Sequence, residues 1–247
     1  MEKEKIEQME AQGIKPNHPI GASQRIAMTI IDTGVFVMLI FLFYSLIMLS
    51  PLSHFVHFYY DSMQDTAVEV ACETGYYTKT YGESTEYQMY EDEGGRYYYL
   101  VDTEKADDFK DALKENTDYK SYSFNYNLHN NITVSLSGLG ALTVVYFIYP
   151  VCNKKRQTLG GFFTKSQLIS KKYVDKACWY HLLGRLFFIF GIDFIIPYFI
   201  FGVPAIPLAP LIFMIAAFTN QDKRMPHEFV SGTMHIDQRT FVPLEEE

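Results

Sequence analysis

Four apolar runs constrain this chain more than any other feature. They are Ile26–Leu49, Ile132–Cys152, Trp179–Phe201 and Val203–Thr219. The first has 24 residues, about 36 Å as a helix, against a hydrocarbon core of about 30 Å. The second and third also reach spanning length. The fourth is shorter and holds Pro204, Pro207 and Pro210. The sequence therefore predicts an α-helical membrane protein with four transmembrane helices, at 25–50, 132–152, 178–201 and 203–219. The first run exceeds a signal-peptide core, and no small-x-small cleavage site follows at Ser50–His54, so it reads as a retained helix. Mean hydropathy is near zero only because long polar segments offset these runs.

Those polar segments set the expected orientation. The loop at 153–177 carries Lys154, Lys155, Arg156, Lys165, Lys171, Lys172 and Lys176 against Asp175 alone. By the positive-inside rule it is cytoplasmic, with its lysines facing anionic headgroups. Segment 51–131 holds six Lys/Arg and sixteen Asp/Glu, a balance of −10 in a chain of −8, and is expected outside. The arm at 1–24 and the tail at 220–247 are then both cytoplasmic.

The outer segment is too long for a connector and dense in tyrosine. Within it, "DTEKADDFKDALKEN" reads as a helix, with Thr103 as cap and Ala106, Phe109 and Leu113 as one stripe. "RYYYLVD" and "YKSYSFNYNL" read as flanking strands from aromatic alternation. A small extracytoplasmic α+β domain with a β-α-β core is expected there. The three cysteines form no CxxC pair, so zinc and redox motifs are not indicated.

Ionisable residues inside the spans are the sharpest local signal, because a charge in hydrocarbon is expensive. They are Asp32, Arg185 and Asp193, with His181 nearby and Arg25 at the inner edge. Asp32, counted from Ile26, and Arg185, counted from Trp179, both lie about 9 Å deep on antiparallel helices. An interhelical Asp32–Arg185 pair follows as an expectation. Asp193 lies nearer the other leaflet, with Ser135, Ser137 or a water as partner. These charges either fix helix register or form a proton or cation path. His54, His57 and Asp61 recur at i, i+3, i+7 and share a helical face. Metal coordination is the sharper reading, and an interfacial aromatic belt with Phe55, Phe58, Tyr59 and Tyr60 the plainer one.

Three motifs in order resemble the RDD family of membrane proteins, named for one arginine and two aspartates. "SQRIAMTIID" places Arg25 at the mouth of the first helix and Asp32 within it. "RQTLGGF" follows the second helix and matches a Thr-Leu-Gly motif at Thr158, Leu159 and Gly160. "RMPHEFVSGTMHID" is similar to the closing motif at His227, Gly232 and Thr233, with Glu228 where the second aspartate is expected. The resemblance covers 25–49 and 132–236; the insert of about 80 residues departs from it. It implies a multi-pass protein of a bacterial plasma membrane, for which cation/proton transport has been proposed. With the topology, it also implies that Glu228 docks on Arg25 and that "FVSGTMHI" folds back as an ordered strand or turn.

No catalytic triad signature, P-loop or dinucleotide fingerprint is present, so neither an enzyme nor a cofactor is expected. Net acidity and the lack of a basic aromatic groove argue against nucleic acid. Three functions remain. One is a scaffold or accessory subunit whose residues 61–129 bind a protein partner. The second is a small H+ or monovalent-cation antiporter using Asp32 or Asp193, oligomeric because four helices barely enclose a path. The third is a sensor or immunity-type protein whose outer domain recognises an extracellular ligand.

Overall fold

The computed structural model describes residues 6–7, 11, 13, 15–81, 89–92, 95–171, 175–202, 208–219 and 224–242. The chain is mostly helical, and three helices are long and apolar enough to cross a membrane. They are α1 (Ala22–Met48), α4 (Thr117–Cys152) and α6 (Trp179–Phe201). The start of the fourth predicted run, 203–207, lies outside the described residues. Its remainder forms α7 (Leu208–Thr219), 12 residues long, about 18 Å and short of a full crossing by itself.

Two compact units divide the chain. One comprises 1–47 and 133–247, the other 48–132.

In the first unit, helix packing follows from small residues set against rings. A side chain at Gly138 would overlap the Phe194 ring, so glycine lets α4 and α6 approach closely. Phe36 of α1 meets Phe194 edge-on at 6.3 Å, and Ala141, Leu142, Leu186, Ile189 and Phe213 complete this core. Both α4 and α6 widen into a π-turn, at Val144–Ile148 and Gly191–Ile195, just before Pro150 and Pro197. A proline lacks the N–H for its helical bond and crowds the carbonyl four residues back. Those carbonyls belong to Tyr146 and Asp193, inside the widened turns, and the extra residue per turn relieves the crowding.

The polar segments of this unit are folded, not draped. The loop after α4 forms a short helix, α5 (Leu159–Phe163), and a wholly buried strand, β4 (Ser166–Ser170). After α7 come α8 (Pro226–Val230) and β5 (Thr233–Asp237). Strands β4 and β5 pair antiparallel, Ser166 opposite Asp237 and Ser170 opposite Thr233. Gly232, at φ 65°, makes the left-handed turn into β5 that a side chain would disfavour. The N-terminal arm runs along β5: Asn17 N–H donates to the Thr240 carbonyl at 2.8 Å, and Asp237 N–H donates to that of His18 at 3.0 Å. The picture of a basic loop laid against headgroups is thus corrected at β4. Its Ser-Gln-Leu-Ile-Ser run has all five residues buried, because both its edge and its faces are covered.

In the second unit, Pro51–Ser53 forms a 3-10 turn that separates α1 from α2 (His54–Glu73). Strands β1 (Tyr77–Tyr81), β2 (Met89–Asp92) and β3 (Gly95–Val101) form an antiparallel sheet in the order β1-β3-β2. Helix α3 (Ala106–Glu115) follows a 3-10 turn whose first N–H groups are capped by Asp102, not Thr103. Tyr76 stacks on Phe109 at 4.8 Å. The predicted strand "YKSYSFNYNL" is instead the first part of α4. Its aromatics fit either period. Tyr119, Tyr122 and Tyr126 recur at i, i+3, i+7, and this half-buried stripe wins, leaving Phe124 exposed. Tyr126 meets Tyr60 of α2 at 5.5 Å, and His129 meets Tyr59 at 5.2 Å. The expected β-α-β core is therefore a three-stranded antiparallel sheet with β3 in the centre, accompanied by helices.

Candidate functional site

The ionisable residues of α1 and α6 converge with the short elements of the first unit. Arg25 and Glu228 are each fully buried, with Arg25 Nη1 donating to Glu228 Oε2 at 2.9 Å. The same oxygen accepts the Met225 N–H at 2.8 Å, so Glu228 both pairs with α1 and fixes the start of α8. The contact expected from motif and topology is present in the geometry.

The expected Asp32–Arg185 pair is not formed. Asp32 Oδ2 accepts from the Thr158 hydroxyl at 2.6 Å, and Oδ1 accepts from Gly160 N–H at 2.7 Å. Helix α5 can reach the carboxylate only because residue 160 is glycine. A methyl group there would overlap the Met28 carbonyl oxygen and lie 2.9 Å from Asp32 Oδ1. Depth matching found the right level of the bundle, but a polar loop at the same level outcompetes the distant cation.

Arg185 turns instead to two imidazoles. Its Nη2 donates to His227 Nε2 at 2.9 Å and to His235 Nε2 at 3.2 Å. Because guanidinium has only donors, both Nε2 atoms accept, and each ring carries its proton on Nδ1. The Nδ1 of His235 faces the Ser166 hydroxyl at 3.4 Å. Burial first, then the Arg185 charge, holds both imidazoles well below their usual pKa, so both are neutral. His235 Nε2 also lies 3.8 Å from Glu228 Oε1. Arg224 donates to the carbonyls of Glu228 and Thr233, at 3.0 and 3.1 Å, tying α8 to β5.

Asp193 stands apart from this cluster. Its Oδ1 accepts the Ala209 N–H at 2.7 Å, a first-turn donor of α7, so the bond goes to a helix start where Ser135, Ser137 or a water was expected as partner. His181 is also outside the cluster. Its Nδ1 accepts the Cys178 N–H at 3.1 Å and caps α6. In the second unit, His54 lies against Phe55 and Phe58, and His57 approaches the Met48 carbonyl at 3.4 Å. Among the described residues no group of three His, Cys, Asp or Glu is placed to hold a metal ion, so the His54, His57, Asp61 face is not assembled as a site.

The cluster gathers Arg25, Asp32, Thr158, Gly160, His227 and Glu228. Leu159 lies in α5, and Gly232 and Thr233 join α8 to β5. Sequence reasoning missed His235 and Arg224. His235 carried a usable signal, since it is eight residues from His227 and follows the turn-forming Gly232. Three helices long and apolar enough to cross a membrane, together with a buried polar cluster, are compatible with a helical membrane protein. No family model, no curated protein and no solved structure matches this chain.

Proposed function

We propose that this is an RDD-like multi-pass protein of a bacterial plasma membrane, built as a scaffold, whose unit between α1 and α4 binds a protein partner. The reading is carried by one observation: the ionisable groups of the spans are engaged by protein atoms. Asp32 has two donors, Asp193 holds a helix start, Arg185 has two imidazoles and Arg25 has Glu228. Charges held this way fix helices in register. On the second unit, a groove of about 560 Å³ lies along α3 and the start of α4, lined by Lys110, Leu113, Lys114, Tyr119, Lys120 and Phe124, among others. Three of this unit's six basic residues line one apolar recess in a strongly acidic domain, which suits an acidic segment with an apolar anchor. A sensor for an extracellular ligand would use the same groove.

The antiporter reading retains one supporting observation. Glu228 Oε1 is buried without a hydrogen-bond partner, and a proton-accepting imidazole lies 3.8 Å away. Two experiments decide. Purified protein in vesicles carrying a pH-sensitive dye is expected to show no cation-driven proton movement above empty vesicles; movement lost in Glu228→Gln would establish transport instead. A photocrosslinker at Phe124 in the intact membrane protein is expected to capture a discrete partner, and the Lys110→Glu, Lys114→Glu, Lys120→Glu variant to lose it. Capture unaffected by those charges would reject the groove.

A further inference from the structure

We infer that α5 is a re-entrant helix immersed in the hydrocarbon of the leaflet around the Ala22 end of α1, and that Phe162 and Phe163 contact acyl chains there. The argument begins with a ruler. Met48 ends α1, and 16 residues back along it is Asp32, about 24 Å away. A hydrocarbon slab of about 30 Å whose far edge lies at Met48 therefore encloses Asp32 by about 6 Å. Sliding the slab toward Ala22, or tilting the helix, buries Asp32 further. Sliding it the other way carries it past the end of α1, into Ser50 and Pro51.

Asp32 is bonded to Gly160 at 2.7 Å, so α5 shares its depth. Phe163 is three residues from Gly160, within about 5 Å along a helix, whichever way α5 runs. Even in the least favourable direction it stays within a few ångström of the slab edge, and in the others it lies deeper. The ring of Phe162 is 56% exposed and that of Phe163 64%, while Thr158, Gly160 and Gly161 on the other side are buried against α1. One side of α5 is thus held by a carboxylate and the other presents two phenyl rings. Helix α1 likewise exposes Ile30, Met38 and Phe41.

Non-helical backbone survives at this depth only if its polar groups are satisfied by protein, and three N–H groups here are. Thr158 Oγ1 accepts the Gly161 N–H at 3.1 Å, the Thr158 carbonyl accepts that of Phe162 at 2.9 Å, and the Gly160 carbonyl accepts that of Thr164 at 3.0 Å. The inference is independent of whether the protein is scaffold or transporter.

The chain has one tryptophan, Trp179, so a Trp179→Phe background makes a single-reporter experiment clean. Phe163→Trp, and separately Phe162→Trp, are reconstituted as intact protein in phosphatidylcholine vesicles with or without acyl-chain bromine. Met38→Trp marks a lipid-facing site on α1 and Lys155→Trp a site in water. Tryptophan at 162 or 163 is expected to lose at least about twofold in intensity in brominated lipid, as at 38, and to resist aqueous iodide. Quenching by iodide as at 155 would place α5 in water and overturn the inference. Quenching by neither would mean that another protein surface, such as a second copy, covers α5, and would overturn it equally.

Discussion

Arg25 and Glu228 are 203 positions apart in the chain and 2.9 Å apart in space. This contact joins the mouth of the first span to a five-residue helix in the tail. A buried ion pair adds little net stability over an apolar replacement, because desolvation offsets attraction. Its value is in making a unique arrangement, and it makes loss of one partner severe.

Glu228→Ala is accordingly expected to destabilise the protein by about 3–5 kcal/mol, since it strands the Arg25 charge. The combined Arg25→Met, Glu228→Leu variant is expected to recover most of that loss. Thermal unfolding in detergent, run as a double-mutant cycle, reads both. Additive losses would mean that the pair does not couple.

At the Asp32 contact, Asp32→Ala leaves the Thr158 hydroxyl and the Gly160 N–H buried and unpaired, at about 1–3 kcal/mol for each stranded group. Gly160→Ala acts from the other side by forcing α5 away from Met28 and Asp32, for about 1–3 kcal/mol. Both variants are expected to increase protease cleavage between Lys154 and Lys165 in the intact protein. Unchanged cleavage would count against the α5–Asp32 lock.

Stability is expected to fall with acidification. His227 and His235 have folded pKa values well below 6.5. Between the folded and unfolded values the unfolded chain binds more protons, so stability rises with pH there. The contribution is complete above about pH 6.5 and shrinks below it. The groups around these rings do not all act in one sense: Arg185 on α6 and Arg25 on α1 oppose protonation, Glu228 favours it, and Ser166 and Phe213 are uncharged, so burial and the two guanidinium groups set the direction. A melting temperature measured from pH 8 to 5 should drop on the acid side, and less so in His235→Gln. A flat profile would indicate that the imidazoles take up protons freely.

Asp193→Ala removes the acceptor for the Ala209 N–H and is expected to cost about 1–2 kcal/mol, as for a lost helix cap. Its signature is local: faster hydrogen exchange in the first turn of α7, with the Arg25–Glu228 end unaffected.

Periodicity and run length made the three crossing helices legible, since both are local properties of the sequence. Motif order together with topology led from Arg25 to Glu228. Asp32 was harder to read. Its depth suggested Arg185, but its partners lie on a loop whose folding into the bundle depends on one glycine. Likewise "YKSYSFNYNL" fits two periods equally well, and the tyrosine and histidine partners of α2 decide between them. The two histidines on Arg185 illustrate the remaining gap, because hydrogen-bond choices among buried side chains are settled by tertiary packing that one sequence does not display.

The distance in chain order between Arg25 and Glu228 also bears on biogenesis. During synthesis the first helix emerges with its guanidinium exposed, and the carboxylate that neutralises it arrives some two hundred residues later. A ribosome product cut short before Glu228 can insert all three long helices and still present an unneutralised arginine at their edge. A chain that lacks Glu228 therefore cannot close the cluster, although it holds all three long helices.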